Sequence, residues 1–244
     1  MKQIEPESLY EILSAQRLRY IALLLELKRQ LFKNEAFANE SESCFALVTQ
    51  YPYGPGASFT GYDPAFFKEL LRRYPKLDFS LALPPGIPSQ VKRMRGLKQN
   101  SVPSACFAYE GEAPAAPVDP HIRLLAKEEF DLLRPVADRQ DDINYAEKIF
   151  VWSEGTQIAG YLCCSPDFDD LWDVNYIFTL PEHRGRGIGT ALAYAYLKTM
   201  REQGIIPCYS GVTNPASAAA ARKAGFQPCS VSYAFKYKRP KFIS

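Results

Sequence analysis

Six residues, RGRGIG at Arg184–Gly189, stand between a strand pattern that ends near Leu180 and a helical pattern that continues to about Gln203. Glycines let a backbone approach a ligand closely because they carry no Cβ. Backbone N–H groups at such a turn, with the N-terminus of the following helix, form a concave site for a phosphate. The charges of Arg184 and Arg186 complement an anion there. We therefore predict a phosphate-binding loop, against the alternative of a tight turn with incidental arginines.

Three common glycine-rich motifs do not fit this loop. A Rossmann turn needs a third small residue where this chain has Thr190, and a Walker A loop needs a Gly-Lys-Ser/Thr ending. RNA-binding RGG segments lie in low-complexity stretches, which this region is not. The loop therefore indicates a different phosphate-bearing ligand.

Composition narrows the class of protein further. The 244 residues are 47% hydrophobic, and 15 Tyr and 15 Phe supply ample material for a core. The net charge of +2 lacks the strong basic excess typical of nucleic-acid-binding proteins. The longest apolar run near the N-terminus, Ile21–Leu25, is far short of the ~20 residues that a bilayer span needs. We expect no nucleic-acid partner, no membrane association, and a monomer or homodimer.

The six cysteines are scattered, and none forms a Cys-x-x-Cys pair. This pattern predicts no metal site and favours reduced core residues in a cytoplasmic protein. Cys163 and Cys164 are neighbours in a predicted strand, so their side chains should face opposite ways. We expect both to be core residues and not nucleophiles.

The first half of the chain has the patterns of an α/β region. Apolar residues at three- and four-residue steps predict one long helix from Glu7 to about Asn34, facing the core or, alternatively, a dimer partner. The prolines and glycines of residues 51–61 predict a loop. Further predicted elements are strands at Cys44–Thr49 and Phe79–Leu83, a helix from Asp63 or Pro64 to Tyr74, and a turn at Pro84–Pro88. A basic cluster follows at Lys92, Arg93, Arg95 and Lys98, which predicts a solvated helix face or, alternatively, a contact to a phosphate or an acidic partner.

Residues 110–120, EGEAPAAPVDP, predict an extended linker because three prolines alternate with small residues. We therefore divide the chain into an N-terminal α/β region at 1–110, a linker at 111–120 and a second domain at 121–244. In that domain we predict strands at Ile122–Leu125, Ile149–Ser153, Gln157–Cys164, Trp172–Leu180, Pro207–Val212 and Phe226–Tyr237, helices at Lys127–Arg139 and Pro215–Ala224, and a polar loop at Ser165–Asp170.

The loop fits the Arg-x-x-Gly-x-Gly/Ala phosphate-binding motif of the GNAT superfamily, the N-acetyltransferases that use acetyl-CoA. Two further segments, Asn214–Ser217 and Lys223–Phe226, match that family's Asn-x-x-Ala/Ser … Lys-x-Gly-Phe ending. Residues 122–237 therefore resemble the GNAT superfamily. The resemblance implies an α/β fold with a mixed, mostly antiparallel central sheet flanked by helices. One interpretation of the N-terminal region is a degenerate half of the same kind.

The resemblance also implies a cofactor site. In the family two adjacent strands splay apart, here Trp172–Leu180 and Pro207–Val212, and the acyl arm of acetyl-CoA enters between them. The Thr179 amide would contact the thioester carbonyl or the nearby pantetheine; at the carbonyl it would stabilise developing negative charge, which gives Thr179 a catalytic role. Asn214 either reaches the pantetheine or only caps the next helix. The residues implied for the cofactor are Phe178, Thr179, Leu180, Arg184, Gly185, Arg186, Gly187, Ile188, Gly189, Thr190, Asn214 and Ser217.

Asp173 is the leading candidate for a general base acting through water. It lies eleven residues before Arg184, where some family members carry a catalytic Glu; the alternative is a solvated acid at a strand start. Many members also carry a general-acid Tyr four residues after the downstream Ala/Ser, and this chain has Ala221 there. Ser217, Tyr209, Tyr233 or water are candidate substitutes.

We therefore predict an N-acetyltransferase that uses acetyl-CoA as acetyl donor and no metal. It would transfer the group directly, in a ternary complex, to a primary amine of unknown identity. The alternative is a non-catalytic acyl-CoA sensor or scaffold. The N-terminal region lacks the loop motif, so we expect it to bind no CoA and to cover one wall of the acceptor cleft.

Overall fold

The computed structural model describes residues 1–29, 32–83, 97–99 and 102–238. The chain forms two compact units: Met1–Ser104 with the C-terminal segment from Cys229, and Ala105–Pro228. The predicted turn at Pro84–Pro88 and most of the predicted basic cluster lie outside the described residues. No described helix is both long and apolar enough to cross a membrane.

The first unit is built on one sheet with the strand order β1-β2-β3-β4-β5-β13, in which β6 also pairs with β13. Neighbouring strands are antiparallel except β4 and β5, which run parallel. Its strands are β1 (Lys2–Ile4), β2 (Asn34–Ala38), β3 (Phe45–Tyr51), β4 (Gly54–Phe59), β5 (Lys76–Leu83), β6 (Leu97–Gln99) and β13 (Gln227–Lys238). Its helices are α1 (Pro6–Ser14), α2 (Ile21–Arg29) and α3 (Pro64–Arg73).

The second unit has the strand order β7-β12-β11-β10-β9-β8, and here β11 and β12 are the parallel pair. Its strands are β7 (Ser104–Ala108), β8 (Ile122–Leu124), β9 (Lys148–Glu154), β10 (Gln157–Phe168), β11 (Leu171–Thr179) and β12 (Ile206–Val212). Its helices are α4 (Gln140–Asn144), α5 (Ile188–Glu202) and α6 (Pro215–Lys223), with 3-10 helices at Lys127–Leu133 and Pro181–His183.

The two units repeat one topology. In each unit, three successive antiparallel strand pairings are followed by one parallel pair. A helix connects the two strands of the parallel pair, α3 between β4 and β5 and α5 between β11 and β12. Parallel neighbours require such a crossover. The mixed α/β architecture, with mostly antiparallel sheets flanked by helices, confirms the predicted fold class.

The two compact units do not follow the predicted division of the chain into 1–110, a linker at 111–120 and 121–244. β7 pairs with β12 and so belongs to the second unit, while most of β13 pairs with β5 in the first. The proline-rich segment is held along α5: Lys198 Nζ donates to the Pro114 carbonyl at 2.6 Å, and Tyr194 donates to that of Ala116 at 2.8 Å. Side chains of α5 thus hydrogen-bond to backbone carbonyls of this segment.

Each unit has its own core, and the second unit has one on each face of its sheet. The core of the first unit is formed by aromatic and aliphatic residues such as Phe37, Phe59 and Leu70. In the second unit Cys164 packs with α5 and α6, whereas Cys163 packs on the opposite face, as predicted. Burial raises the pKa of the Cys163 thiol to about 12, which keeps it protonated. Both cysteines are core residues.

The prediction of one helix over Glu7–Asn34 is wrong, because turns interrupt it and β2 begins at Asn34. The Ser14 hydroxyl donates to the Tyr10 carbonyl at 2.7 Å, a side-chain bond that competes with the helical ladder. Much of the predicted apolar stripe is nevertheless buried, since Leu13 and Leu24 are each at most 2% exposed, whereas Ile12 is 44% exposed.

The predicted loop at 51–61 is also wrong, because it contains β4. Gly54 has a φ of +127°, which suits the turn into that strand, and β4 then pairs with a strand on each side. Pairing on both sides, with Ala57 and Phe59 buried, overrides the local proline and glycine content. The predicted helix from Asp63 or Pro64 is confirmed as α3.

Two predictions in the second unit need smaller corrections. The predicted helix at Lys127–Arg139 is a 3-10 helix followed by turns, although Leu133 is buried as expected. The predicted polar loop at Ser165–Asp170 is shorter, because β10 extends to Phe168 through pairing with β11. The hairpin of β9 and β10, the long helix α5 and helix α6 are confirmed.

Candidate functional site

β11 and β12 pair only at their first residues. The parallel register joins Leu171–Asp173 to Ile206–Cys208 and then stops. β11 continues to Thr179 and keeps its pairing with β10 on the other side. The described strands therefore splay apart beyond Asp173, and one edge of β11 is left without a strand partner.

The backbone of Thr179 is directed into this gap. The Leu180 N–H donates to the Ala159 carbonyl of β10 at 2.9 Å. In an antiparallel pair successive residues alternate between bonding to the partner and pointing away from it. Thr179, which lies opposite Gly160, therefore presents its N–H and C=O to the opposite edge. By the same alternation the Ile177 amide also faces the gap.

Asp173 lies where the two strands separate. Its carboxylate accepts a hydrogen bond from the Ser210 amide at 2.9 Å and another from the Ser210 hydroxyl. Burial raises the pKa of Asp173, and the two bonds from Ser210 oppose that rise. Asp173 is thus a half-buried carboxylate that links β11 to β12 through Ser210.

A β-bulge bends β11 inside the splayed region. Tyr176 pairs with Cys163 and Val174 with Cys164, so Asn175 has no opposite residue on β10. The Asn175 side-chain oxygen accepts a bond from the Ser165 hydroxyl at 2.9 Å. Such a bulge increases local twist and re-aims the residues that follow.

The loop after β11 forms an open backbone cradle. Gly185 and Gly187 have φ values of +81° and +82°, a conformation that favours glycine. A Cβ placed at either residue would meet no atom within 4 Å, so side chains do not fill the bend. Helix α5 begins next, with no acidic residue in its first turn and no side-chain cap from Gly187. The unsatisfied N–H groups and the dipole of this helix favour an anion.

The two arginines of the loop have different contacts. Arg184 donates from Nε to the Thr179 carbonyl at 3.1 Å, and its guanidinium lies 5.8 Å from the Phe178 ring centroid. Arg186 pairs with Glu154 and lies over the Trp152 ring. The Arg186 hydrogen bond holds the pKa of Glu154 below its usual value. Arg184 thus ties the loop to the end of β11, and Arg186 ties it to the β9–β10 hairpin.

Gly160 is a site residue that the sequence analysis missed. A Cβ there would lie 2.8 Å from Ile188 Cγ2 and 2.9 Å from the Phe178 carbonyl oxygen. Only glycine lets the first turn of α5 pack this closely on the sheet. A glycine inside a strand pattern is the available signal, because it often marks a close backbone approach.

The other residues predicted for the site lie in β12, in α6 or between these two elements. Asn214 caps α6, its side-chain oxygen accepting from the Ala216 amide at 2.8 Å. Tyr209 is 5% exposed; burial raises its pKa, and the nearby Ser217 side chain opposes the rise. Ala221 is fully buried in the core beside α5.

A cavity of about 510 Å³ lies against the end of β11. Its walls combine apolar residues with the carboxylates of Asp138 and Glu182. The Tyr176 hydroxyl donates to Asp138 at 2.5 Å, which holds that carboxylate beside the aromatic ring. The residues that line it are Leu132, Pro135, Val136, Ala137, Asp138, Thr156, Gln157, Ile158, Phe178, Leu180 and Glu182.

The equivalent position in the first unit is closed. β4 pairs with β5 up to its last residue, Phe59, so that no gap opens. The N-terminus of α3 is capped by Asp63, whose carboxylate accepts from the Ala65 and Phe66 amides at 2.9 and 3.1 Å. A carboxylate already occupies the place that an anionic group would need.

Comparisons with known proteins find a family match for part of the chain. A family model described as Acetyltransferase (GNAT) family matches residues 118–226. No curated protein matches the chain.

Similar solved structures cover nearly the whole chain. A GCN5-related N-acetyltransferase from Sphaerobacter thermophilus is 12% identical, with a TM-score of 0.58 over 99% of this chain and 96% of that one. An acetyltransferase of the GNAT family from Colwellia psychrerythraea is 16% identical, with a TM-score of 0.57 over 97% and 99%. A tandem GNAT protein from the clavulanic acid biosynthesis pathway is 12% identical, with a TM-score of 0.51 over 98% of both chains. At such identities the likeness to solved structures shows the fold alone, and residues 118–226 match the GNAT acetyltransferase family model.

Proposed function

We propose that the chain is an acetyl-CoA-dependent N-acetyltransferase that acetylates a primary amine directly, in a ternary complex. The observation that carries the proposal is the gap beyond Asp173, which opens beside the empty bend of Gly185 and Gly187. An unpaired strand edge next to an anion-binding loop suits a ligand with a diphosphate and an extended amide arm. The proposal places the reaction in the cytoplasm, in keeping with six cysteines that form no disulfide.

The residues present fit acetyl-CoA. The amides at the start of α5 and in the glycine bend would hold the diphosphate, with Arg184 adding charge. The outward amides of Ile177 and Thr179 would pair with the pantetheine as a strand edge pairs with a peptide. Acetyl-CoA, when bound, supplies the acetyl group as a thioester. The Thr179 N–H would either pair with the pantetheine in this way or, where the thioester carbonyl lies beside it, stabilise the negative charge that develops on that oxygen.

Six residues of β11, roughly 20 Å, separate Asp173 from Thr179, so Asp173 would take the proton of the acceptor amine through a relay of waters along the gap, with Ser210 as its first member. A base works best when its pKa lies nearer the working pH than that of an ordinary carboxyl group. Burial moves the pKa of Asp173 in that direction. Its contact with Ser210 supports a second role, since it also holds the strand that borders the gap.

The cavity at the end of β11 would receive the acceptor. Asp138 and Glu182 attract a cationic amine, while Phe178 and Leu180 contact its carbon chain. The acceptor would thus be an amine with an apolar portion.

A thiol-release assay with acetyl-CoA and a panel of amines tests the proposal. We expect turnover with at least one amine of this type. Asp173→Asn should lower kcat and remove the acidic limb of the pH profile of kcat, with little change in acetyl-CoA affinity. Ser210→Ala should keep that acidic limb, because the carboxylate is still present. Asp141→Asn, which removes an exposed carboxylate at the start of α4, is the matched control. Equal activity of wild type and Asp173→Asn at every pH would remove Asp173 from the chemistry.

One observation favours a second candidate, a non-catalytic acyl-CoA sensor or scaffold. Ala221 stands where many GNAT enzymes carry a general-acid tyrosine, and its methyl group is fully buried. Tyr209 and Ser217 are the nearby hydroxyl groups that could replace it. Acetyl-CoA binding without thiol release on any amine would favour the sensor.

A further inference from the structure

The first unit contains a cavity that the transferase proposal does not use. It has a volume of about 340 Å³, at the small end of the range for ligand sites. It lies between α2, β2 and β3, in the unit whose diphosphate position is closed by Asp63. The residues that line it are Ala22, Leu25, Glu26, Phe32, Asn34, Thr49 and Tyr51.

Aromatic rings form one wall of this cavity. The rings of Phe32 and Tyr51 meet edge to face, with centroids 5.2 Å apart and planes at 67°. Tyr53 stacks on Tyr51, also at 5.2 Å, with planes at 4°. The Tyr51 ring thus contacts a second aromatic ring on each of two sides. Fixed aromatic rings attract cations through their negative faces and are the usual walls of sites for alkylated ammonium groups.

A carboxylate lies on the same wall. Glu26 accepts a hydrogen bond from the Tyr51 hydroxyl, which fixes it beside the rings. Burial, followed by the contact with Glu26, raises the pKa of Tyr51, so the phenol remains a donor at neutral pH. Glu26 projects from α2, whose neighbouring residues Leu24 and Leu27 are buried in the core. The helix therefore has little freedom to move the carboxylate away.

The side chains of Thr49 and Asn34 also line the cavity. Thr49 is 2% exposed, and its hydroxyl donates to the Asn34 side-chain oxygen at 2.9 Å. This bond fixes the Asn34 amide. Leu25 and Ala22 add apolar surface. A ligand here would therefore meet the Glu26 carboxylate, two aromatic side chains and a short apolar wall.

We propose that this cavity binds a small alkylammonium ion, with Glu26 opposing its charge and Phe32 and Tyr51 contacting its alkyl groups. The carboxylate alone would suit any cation, but the rings favour one whose charge is spread over carbon-bound hydrogens. This proposal is independent of acetyl transfer, because none of its residues belongs to residues 118–226.

The test is ligand-observed NMR on the full chain with choline and with butylammonium, compared with 3,3-dimethylbutan-1-ol, the neutral carbon analogue of choline. We expect at least one cation to bind and the neutral alcohol to bind at least about tenfold more weakly. Glu26→Gln should weaken cation binding about tenfold or more, because it removes a charge-assisted contact. Glu11→Gln, an exposed glutamate on α1, should leave the affinity unchanged.

Phe32→Leu provides a second variant, since Phe32 is 40% exposed and its replacement spares the core. It should also weaken cation binding while the thermal unfolding midpoint stays near that of wild type. Failure of both cations to bind folded wild-type protein would overturn the proposal. So would equal binding of choline and its neutral analogue, or unchanged affinity in Phe32→Leu. If Glu26→Gln does not fold, the wild-type comparison and Phe32→Leu decide the matter.

Discussion

The carboxylate of Asp173 accepts hydrogen bonds from both the amide and the hydroxyl of Ser210, at the residue where β11 and β12 stop pairing. This contact replaces the next ladder bonds between the strands with a side-chain bridge. It therefore fixes the vertex of the gap that the proposed acyl arm would enter. The same half-buried carboxylate is the candidate base of the proposed transfer, and the Ser210 hydroxyl beside it can relay a proton.

Asp173→Asn should change how stability depends on pH. The pKa of Asp173 is raised by burial above the ordinary value of 3.8, so the folded chain binds this proton more tightly than the unfolded chain. Ionisation of Asp173 therefore lowers the stability of the wild-type fold. This loss of stability is absent below the ordinary pKa and grows as pH rises toward the raised pKa. The unfolding free energy of Asp173→Asn minus that of wild type should therefore rise with pH across this window and then level off.

Denaturant unfolding at a series of pH values measures this difference, with Asp141→Asn as the control for loss of a surface carboxylate. A difference that stays flat or falls with rising pH would mean that ionised Asp173 is not penalised by folding.

Gly187→Ala should weaken acetyl-CoA binding. A side chain at a φ of +82° strains the backbone by roughly 1 kcal/mol and adds a methyl group to the proposed diphosphate cradle. Gly204→Ala is a close control, because Gly204 has a φ of +74°, with open space around it, at the other end of α5. We expect similar losses of stability for both and a loss of affinity only for Gly187→Ala. Equal affinity in the two variants would separate Gly187 from the ligand.

Gly160→Ala should destabilise the second unit by about 1–3 kcal/mol. The added Cβ would lie 2.9 Å from the Phe178 carbonyl oxygen, a backbone atom that cannot turn aside, and would press on Ile188. Denaturant unfolding measures the loss. Gly61→Ala is the comparison, since its Cβ would meet Cys44 Sγ at 3.8 Å, an ordinary contact. Equal stability of Gly160→Ala and wild type would show that the sheet and α5 have room to separate.

Asp63→Ala should cost about 1 kcal/mol of stability through loss of the α3 cap, without changing acetyl-CoA affinity. The Asn39 hydrogen bond, followed by the capping bonds, lowers the pKa of Asp63. Its stabilisation should therefore be present above the ordinary pKa of 3.8 and be lost as pH falls through the lowered one. Asp63→Asn, which can still cap the helix, should lose less. A change in acetyl-CoA affinity in Asp63→Ala would contradict the closed state of this position.

Prediction from sequence worked best for the part of the candidate site whose residues are contiguous in the chain. The bend at Arg184–Gly189 and its place before α5 could be predicted because glycine conformation and helix start are local properties. The contact of Asp173 with Ser210 joins residues 37 apart in sequence, and no local pattern encodes it. The bulge at Asn175 likewise could not be predicted from the sequence, because a bulge depends on the register of the partner strand.

The fold was predicted well for elements with strong local signals and less well where tertiary contacts decide. Helix α3 followed from the Asp63-Pro64 start, which combines a cap with a proline at the first turn. Strand β4 was missed because its glycines and proline favour a loop until two neighbouring strands pair with it. The break between α1 and α2 was missed because the apolar stripe continues across it.

Amide chemical-shift mapping during titration with acetyl-CoA tests the central claim most directly. We expect the largest changes at the outward amides Ile177 and Thr179 and at Gly185–Thr190, with saturation at one ligand per chain. The capped N-terminus of α3 should show none. The absence of any shift in folded protein, or shifts that avoid both β11 and the glycine bend, would contradict the account.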